Sequence, residues 1–242
     1  MTRDGVGLAV RHWRRATATG SAVVLVHGFG SSKDSRALAD VAAALMVDGY
    51  HVISYTARGH RESEGMCTLG DLEHLDVEAA VQLARRDADR VVLVGASMGA
   101  IAVLRHASHE TPDGVVTVSS PSAWQLPRTV QGGAAALLTQ TSVGRWVARN
   151  TLRVRLTEQW TDASPPVVLA RTVEAPLAII HGRNDRFIKH DAANELYAAS
   201  PGPRRIELVD RMGHAFVKES IPAIRGSVRW ALTAPSESPA GT

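Results

Sequence analysis

Cysteine, aromatic residues, net charge and long apolar runs are all scarce in this 242-residue chain, and each scarcity excludes something. Cys67 is the only cysteine, so the sequence offers no internal disulfide and no cysteine-based metal cluster. It lies in "EGMCTLG", outside any turn that would activate a thiol, and reads as a structural residue rather than a nucleophile. Aromatic residues are only 5% of the chain, so the places where they gather carry information. The formal net charge is +3 and its carriers are scattered, which argues against a nucleic-acid partner but tolerates an anionic small molecule. No apolar run approaches the ~20 residues of a membrane span. The opening "MTRDGVGLAV" lacks the basic start, apolar stretch and small-residue cleavage site of a signal peptide, so a cytoplasmic location is the expectation.

At 45% hydrophobic, the chain suits one domain with a full core. Short β-branched runs alternate with Ala- and Leu-rich amphipathic stretches, the pattern of a mainly parallel sheet covered on both faces. The pattern predicts strands at 7–13, 22–26, 51–55, 90–94, 114–119, 177–180 and 205–209. Helices are predicted at 35–47, 69–86, 98–106, 191–199 and 217–232. The fold class is therefore α/β with about seven strands. One segment breaks the alternation: 121–166 is too long for an ordinary connection and reads as an inserted cap or lid. It holds Trp124, Trp146 and Trp160, with five arginines against two acids. The expected organisation is a core built from 1–120 and 167–234, the cap at 121–166, and a Pro/Ser-rich frayed tail at 235–242.

Within that frame, "RVVLVGASMGAIAVLRHA" places Gly95-Ala96-Ser97-Met98-Gly99 between a strand and a helix. A serine can sit at such a turn merely because it is small. The strand-turn-helix setting gives G-x-S-x-G a chemical reading as well: a sharp turn that presents the hydroxyl beside a helix N-terminus, where negative charge is favoured. "VVLVHGFGSS" runs a buried strand into a glycine loop whose N–H groups can face an oxyanion, although such a loop can also simply turn the chain. "LAIIHGRNDRF" puts Asp185 after one strand and "LVDRMGHAF" puts His214 after the next. Singly these are weak signals. Together they give Ser97, Asp185 and His214 in the order serine, acid, histidine, each following a strand whose carboxyl end lies on one sheet edge.

Through "HGFG", "ARGHRESEG", "GASMG", "HGRND" and "MGHAF", the chain resembles the α/β-hydrolase superfamily, close to its serine-aminopeptidase, monoglyceride-lipase and small-carboxylesterase group. The resemblance implies an α/β-hydrolase fold with a catalytic triad of Ser97, Asp185 and His214, and an oxyanion hole from the N–H groups of Phe29 and Met98. His27 resembles the family's loop-supporting histidine. No metal or cofactor is implied. The expected activity is a serine esterase acting on carboxylic esters or thioesters through an acyl-enzyme, with a small acyl compound as partner. The same triad can serve peptide, amide or C–C cleavage or acyl transfer, and a receptor that keeps the fold without chemistry is the remaining alternative. Phe29, Phe187 and Phe216 all fall beside the motifs. With Trp124, Trp146 and Trp160, Phe187 and Phe216 are the candidate substrate-binding residues, core packing being the competing account of the two phenylalanines. Two departures stand out: Thr56 and Arg61 occupy places where the family often has aspartate and glycine. The short stretch before the strand near Gly7 leads to the expectation that the family's first strand is missing.

Overall fold

The computed structural model describes residues 1–14, 20–124, 133, 137–159, 161–162 and 164–234. Most of 125–136, Trp160 and the tail at 235–242 therefore lie outside the described residues. Seven strands form one sheet: β1 (Val10–Trp13), β2 (Ser21–Val26), β3 (His51–Tyr55), β4 (Arg90–Ala96), β5 (Gly114–Val118), β6 (Leu177–Gly182) and β7 (Arg204–Val209). Their spatial order is β1-β3-β2-β4-β5-β6-β7. β1 is antiparallel to β3 and every other pairing is parallel.

The α-helices among the described residues include α1 (Arg36–Val47), α2 (Glu73–Ala84), α3 (Met98–Ala107), α4 (Ser142–Val147), α5 (Pro166–Ala170), α6 (Asp191–Ala199) and α7 (Ile221–Thr233). Period-two alternation in the strands divides the core between the two faces. Val24, Leu93, Val115 and Ile179 join a cluster with α2, α3, α5 and α6. Val23, Val94, Val116 and Ile180 join a second cluster with α1 and α7. The central strands are buried on both sides, which is why they read as near-continuous β-branched runs.

Several predicted boundaries move, among them β1, which begins at Val10 rather than residue 7, and α7, which begins at Ile221 rather than residue 217. β4 runs on to Ala96 because Gly95 and Ala96 still pair with Thr117 and Val118. The helix expected from residue 69 starts at Glu73 instead. Leu69 and Gly70 take left-handed backbone angles (φ 59° and 109°), and a Cβ at Gly70 would press into Ile101. Glu73 closes this loop by accepting from Thr68 N (2.7 Å), Gly70 N (2.7 Å) and the Thr68 hydroxyl.

Candidate active site

Ser97 stands at the end of β4 with φ 54° and ψ −116°, a conformation that a side chain adopts only where the surroundings hold it. Its N–H is fixed to Val118 O at 2.9 Å. The two flanking glycines are steric requirements: a Cβ on Gly95 would overlap the Gly99 backbone, and one on Gly99 would overlap the carbonyls of Val26 and His27.

The other two residues arrive on the loops after β6 and β7. Asp185 Oδ1 accepts from the N–H groups of Phe187 (2.9 Å) and Ile188 (3.0 Å), which leaves Oδ2 for His214 Nδ1 at 2.8 Å. The other edge of the imidazole, Nε2, lies 2.9 Å from Ser97 Oγ. A carboxylate only accepts, so Nδ1 carries the proton and Nε2 is free to accept from the serine hydroxyl. Burial pushes the Asp185 carboxyl up, but the His214 hydrogen bond and charge and the two loop N–H groups outweigh it and hold the group below its ordinary value. Three residues from three loops are thereby brought into one hydrogen-bonded chain.

Supports that sequence reasoning missed fix these loops. Ser119, just beyond β5 with φ 51°, donates its N–H to Ile180 O (2.9 Å) and accepts from Ala215 N (3.1 Å), anchoring the histidine loop. His181 Nε2 lies 2.9 Å from Ile188 O and 3.5 Å from Asp185 Oδ2, tying the acid loop to β6. The only signal for either was a polar residue at a strand end, too common to single out.

The glycine loop after β2 is clamped by two buried histidines. His27 Nε2 accepts from Ala57 N (2.9 Å), so its Nδ1–H donates to Gly28 O (2.7 Å). His60 Nε2 accepts from Gly30 N (3.2 Å), so its Nδ1–H donates to Arg58 O (3.0 Å). Both rings must be neutral to do this. Burial, helped in His27 by the neighbouring His60, drives His27 down to about 3, and burial lowers His60 as well. Gly28 packs against Ser97, so the clamped loop borders the hydroxyl. The N–H groups of Phe29 and Met98 have no acceptor among the described residues.

The proposed substrate contacts separate. The Phe187 ring is half-exposed and stands 5.1 Å from the His214 ring. Phe216 is buried in the cluster under α1 and α7, where core packing accounts for it. Trp124 packs against the opposite cluster and donates its indole N–H to Ser164 O (2.9 Å), which ties the two ends of the insert together. Trp146 is exposed on α4, and Trp160 lies outside the described residues. Cys67 is fully buried with Sγ 3.7 Å from Met98 Sδ, and burial raises its thiol well above the ordinary range. Among the described residues no three His, Cys, Asp or Glu side chains converge as a metal site, and no helix is long and apolar enough to cross a membrane.

A family model described as the alpha/beta hydrolase family matches residues 23–221, and the chain belongs to that family. It is similar to the uncharacterized protein YqkD of Bacillus subtilis, 26% identical over 177 residues that span 69% of this chain and 56% of that protein. The alignment thus covers little more than half the length of that relative. Among solved structures, the Pyrococcus furiosus esterase Pf2001 superposes with a TM-score of 0.73 at 21% identity, covering 98% of this chain and 89% of that one. The esterase EaEST from Exiguobacterium antarcticum gives a TM-score of 0.73 at 15% identity, covering 96% of this chain and 98% of that one. At these identities the likeness is one of fold.

Proposed function

We propose that this chain is a serine hydrolase that cleaves a carboxylic ester or thioester through an acyl-enzyme. The observation that carries the reading is the chain Asp185 Oδ2 to His214 to Ser97 Oγ, with separations of 2.8 and 2.9 Å, at the strained end of β4. A neutral serine hydroxyl is a poor nucleophile; His214 Nε2 removes its proton as Oγ attacks the acyl carbon, and Asp185 stabilises the imidazolium. The N–H groups of Phe29 and Met98 take the developing oxyanion, and the clamps of His27 and His60 keep the first of them in place. His214 then protonates the leaving group, and water, activated by the same imidazole, releases the acid. The names of the esterases with this fold favour an ester over an amide. The segment 121–166 acts as the cap in this reading, with exposed Trp146 available to an acyl chain.

Labelling with a fluorophosphonate probe, followed by turnover of a p-nitrophenyl ester series, tests the assignment. Ser97→Ala should lose both labelling and turnover while its unfolding free energy stays within about 0.5 kcal/mol of wild type, because one small hydroxyl contributes little to folding. Wild-type turnover in that variant would sink the mechanism.

A further inference from the structure

Beside the glycine loop runs an open groove that the chemistry above does not use. Its two halves, of about 390 and 460 Å³, share Ser32, Asp34 and Arg61. Phe29 and Gly30 wall the end nearer Ser97, and Arg153 walls the other. The charges in this groove do not balance. Asp34 is matched by Arg11 and Lys33, each at 2.6 Å, and Glu62 by Lys33 at 2.8 Å. Among the described residues no carboxylate pairs with Arg61 or Arg153, so two guanidinium groups are left over.

The backbone beneath these two arginines is strained. Arg61 has φ 44° and Arg153 φ 56°, both in the left-handed region where glycine sits at little cost. They are locked side by side by Arg61 N to Arg153 O at 2.7 Å. The neighbouring Arg155 shows what a structural arginine does here: its guanidinium is spent on the carbonyls of Ser63, Gly65 and Arg61. Arg61 and Arg153 make no such bonds among the described residues. Arg153 caps the helical turn at Ala148–Leu152, which accounts for its backbone angle, but the two exposed guanidinium groups, left without partners among the described residues beside the glycine loop that borders Ser97, are suited to an external anion.

We propose that this groove is an anion subsite, and that the substrate is an ester or thioester carrying a carboxylate or phosphate on its acyl or leaving portion. The word substrate rests on the reading of Ser97 as the nucleophile; binding of the anion does not. A guanidinium fork meets either oxyanion through two parallel N–H···O bonds, so the chemistry is shared by both groups.

The test uses the wild-type chain, Arg61→Gly, Arg153→Gly and the double variant. Glycine removes the cation and relieves the backbone, so a loss cannot come from new strain. Turnover is compared for mono-p-nitrophenyl succinate (anion on the acyl side), 4-butyryloxybenzoate (carboxylate on the leaving side), butyryl-coenzyme A (phosphates on the leaving side) and neutral p-nitrophenyl butyrate. For at least one anionic substrate, kcat/KM relative to butyrate should fall about tenfold per arginine removed, chiefly through KM, as for a charge-assisted hydrogen bond in a solvent-open groove. The wild-type preference should also weaken as salt is raised. Calorimetric titration with inorganic phosphate reads the subsite without turnover and should lose its signal in the double variant. A double variant with wild-type ratios for all three anionic substrates and a wild-type phosphate titration overturns the proposal. If the wild type hydrolyses no ester, the proposed function fails and the phosphate titration alone decides the subsite: an arginine-dependent signal upholds it, and none refutes it.

Discussion

Replacing His27 by glutamine should change how the fold responds to acid. The ring is buried and neutral, accepting from Ala57 N and donating to Gly28 O, and its value in the folded chain lies near 3 against an ordinary 6.5. The unfolded chain therefore takes up a proton first as the pH falls. Stability from this group is full above pH 6.5 and is lost progressively down to about 3. Each pH unit in that window is worth ~1.4 kcal/mol, so passing from pH 7 to pH 4 removes about 3 kcal/mol. Glutamine offers a donor and an acceptor but does not titrate. At pH 7 the variant should be less stable by about 1–2 kcal/mol, because it cannot reproduce both hydrogen bonds. By pH 4 the gap should close or reverse, since only the wild type has lost the His27 contribution. Urea unfolding midpoints of both proteins at pH 7, 5.5 and 4 measure this. Acid losses from carboxylates are common to the two chains and cancel in the difference. A gap that stays constant over the range would refute the neutral, doubly bonded His27 and with it the account of how the glycine loop is held.

Three further outcomes follow from the same geometry. Asp185→Asn should lower kcat by about 10⁴, whereas Asp191→Asn, on the exposed start of α6, should remain close to wild type; the reverse ranking in a steady-state assay would move the acid to the wrong loop. Gly99→Ala should destabilise by about 3 kcal/mol or more in denaturant melts, because its methyl group would enter the carbonyls of Val26 and His27, and an unaltered midpoint would contradict the packing of the elbow. Trp146→Ala should shift the ratio of long-chain to acetyl p-nitrophenyl ester turnover; an unchanged ratio removes this tryptophan from any acyl-chain contact.

Readings that depend on local pattern transferred well. The central strands are visible as β-branched runs because both faces of the sheet are covered there, and the elbow is visible because Gly95 and Gly99 are each demanded by a backbone only a few residues away in sequence or one strand away in space. Contacts between distant segments left no such trace. His60 supports Gly30 from thirty residues away, and Ser119 holds Ala215 from ninety-six. A histidine or serine gives no sign in the sequence of which remote N–H it will meet. Phe216 shows the converse: its place beside His214 in the chain suggested a pocket wall, but the turn after His214 carries its ring into the core. The late start of α2 has a similar origin, since the tight approach of Gly70 to Ile101 is a tertiary constraint that overrides a helix-compatible run.

The distribution of backbone strain is confined to one edge of the sheet. Seven described non-glycine residues have positive φ: Arg61, Leu69, Ser97, Ser119, Arg153, Arg211 and Ala215. Every one lies in a segment that leaves the carboxyl end of a parallel strand: two after β3, one after β4, two after β5 and two after β7. On the opposite edge the left-handed positions fall to glycines, Gly20 before β2 and Gly49 before β3. At ~1–2 kcal/mol each, the seven amount to a destabilisation on the order of 10 kcal/mol, comparable to the whole net stability of a domain. A fold holds such a sum only where dense packing leaves no alternative, and the doubly covered sheet supplies that rigidity along one edge. Ser119 accepts from Ala215 N next to His214, and Ser97 Oγ faces His214 Nε2, so three of the strained positions border one contact. Strain on this edge thus accompanies the meeting of side chains from separate loops, and the presence of Arg61 and Arg153 among the seven puts the neighbouring groove on the same edge as Ser97, Asp185 and His214.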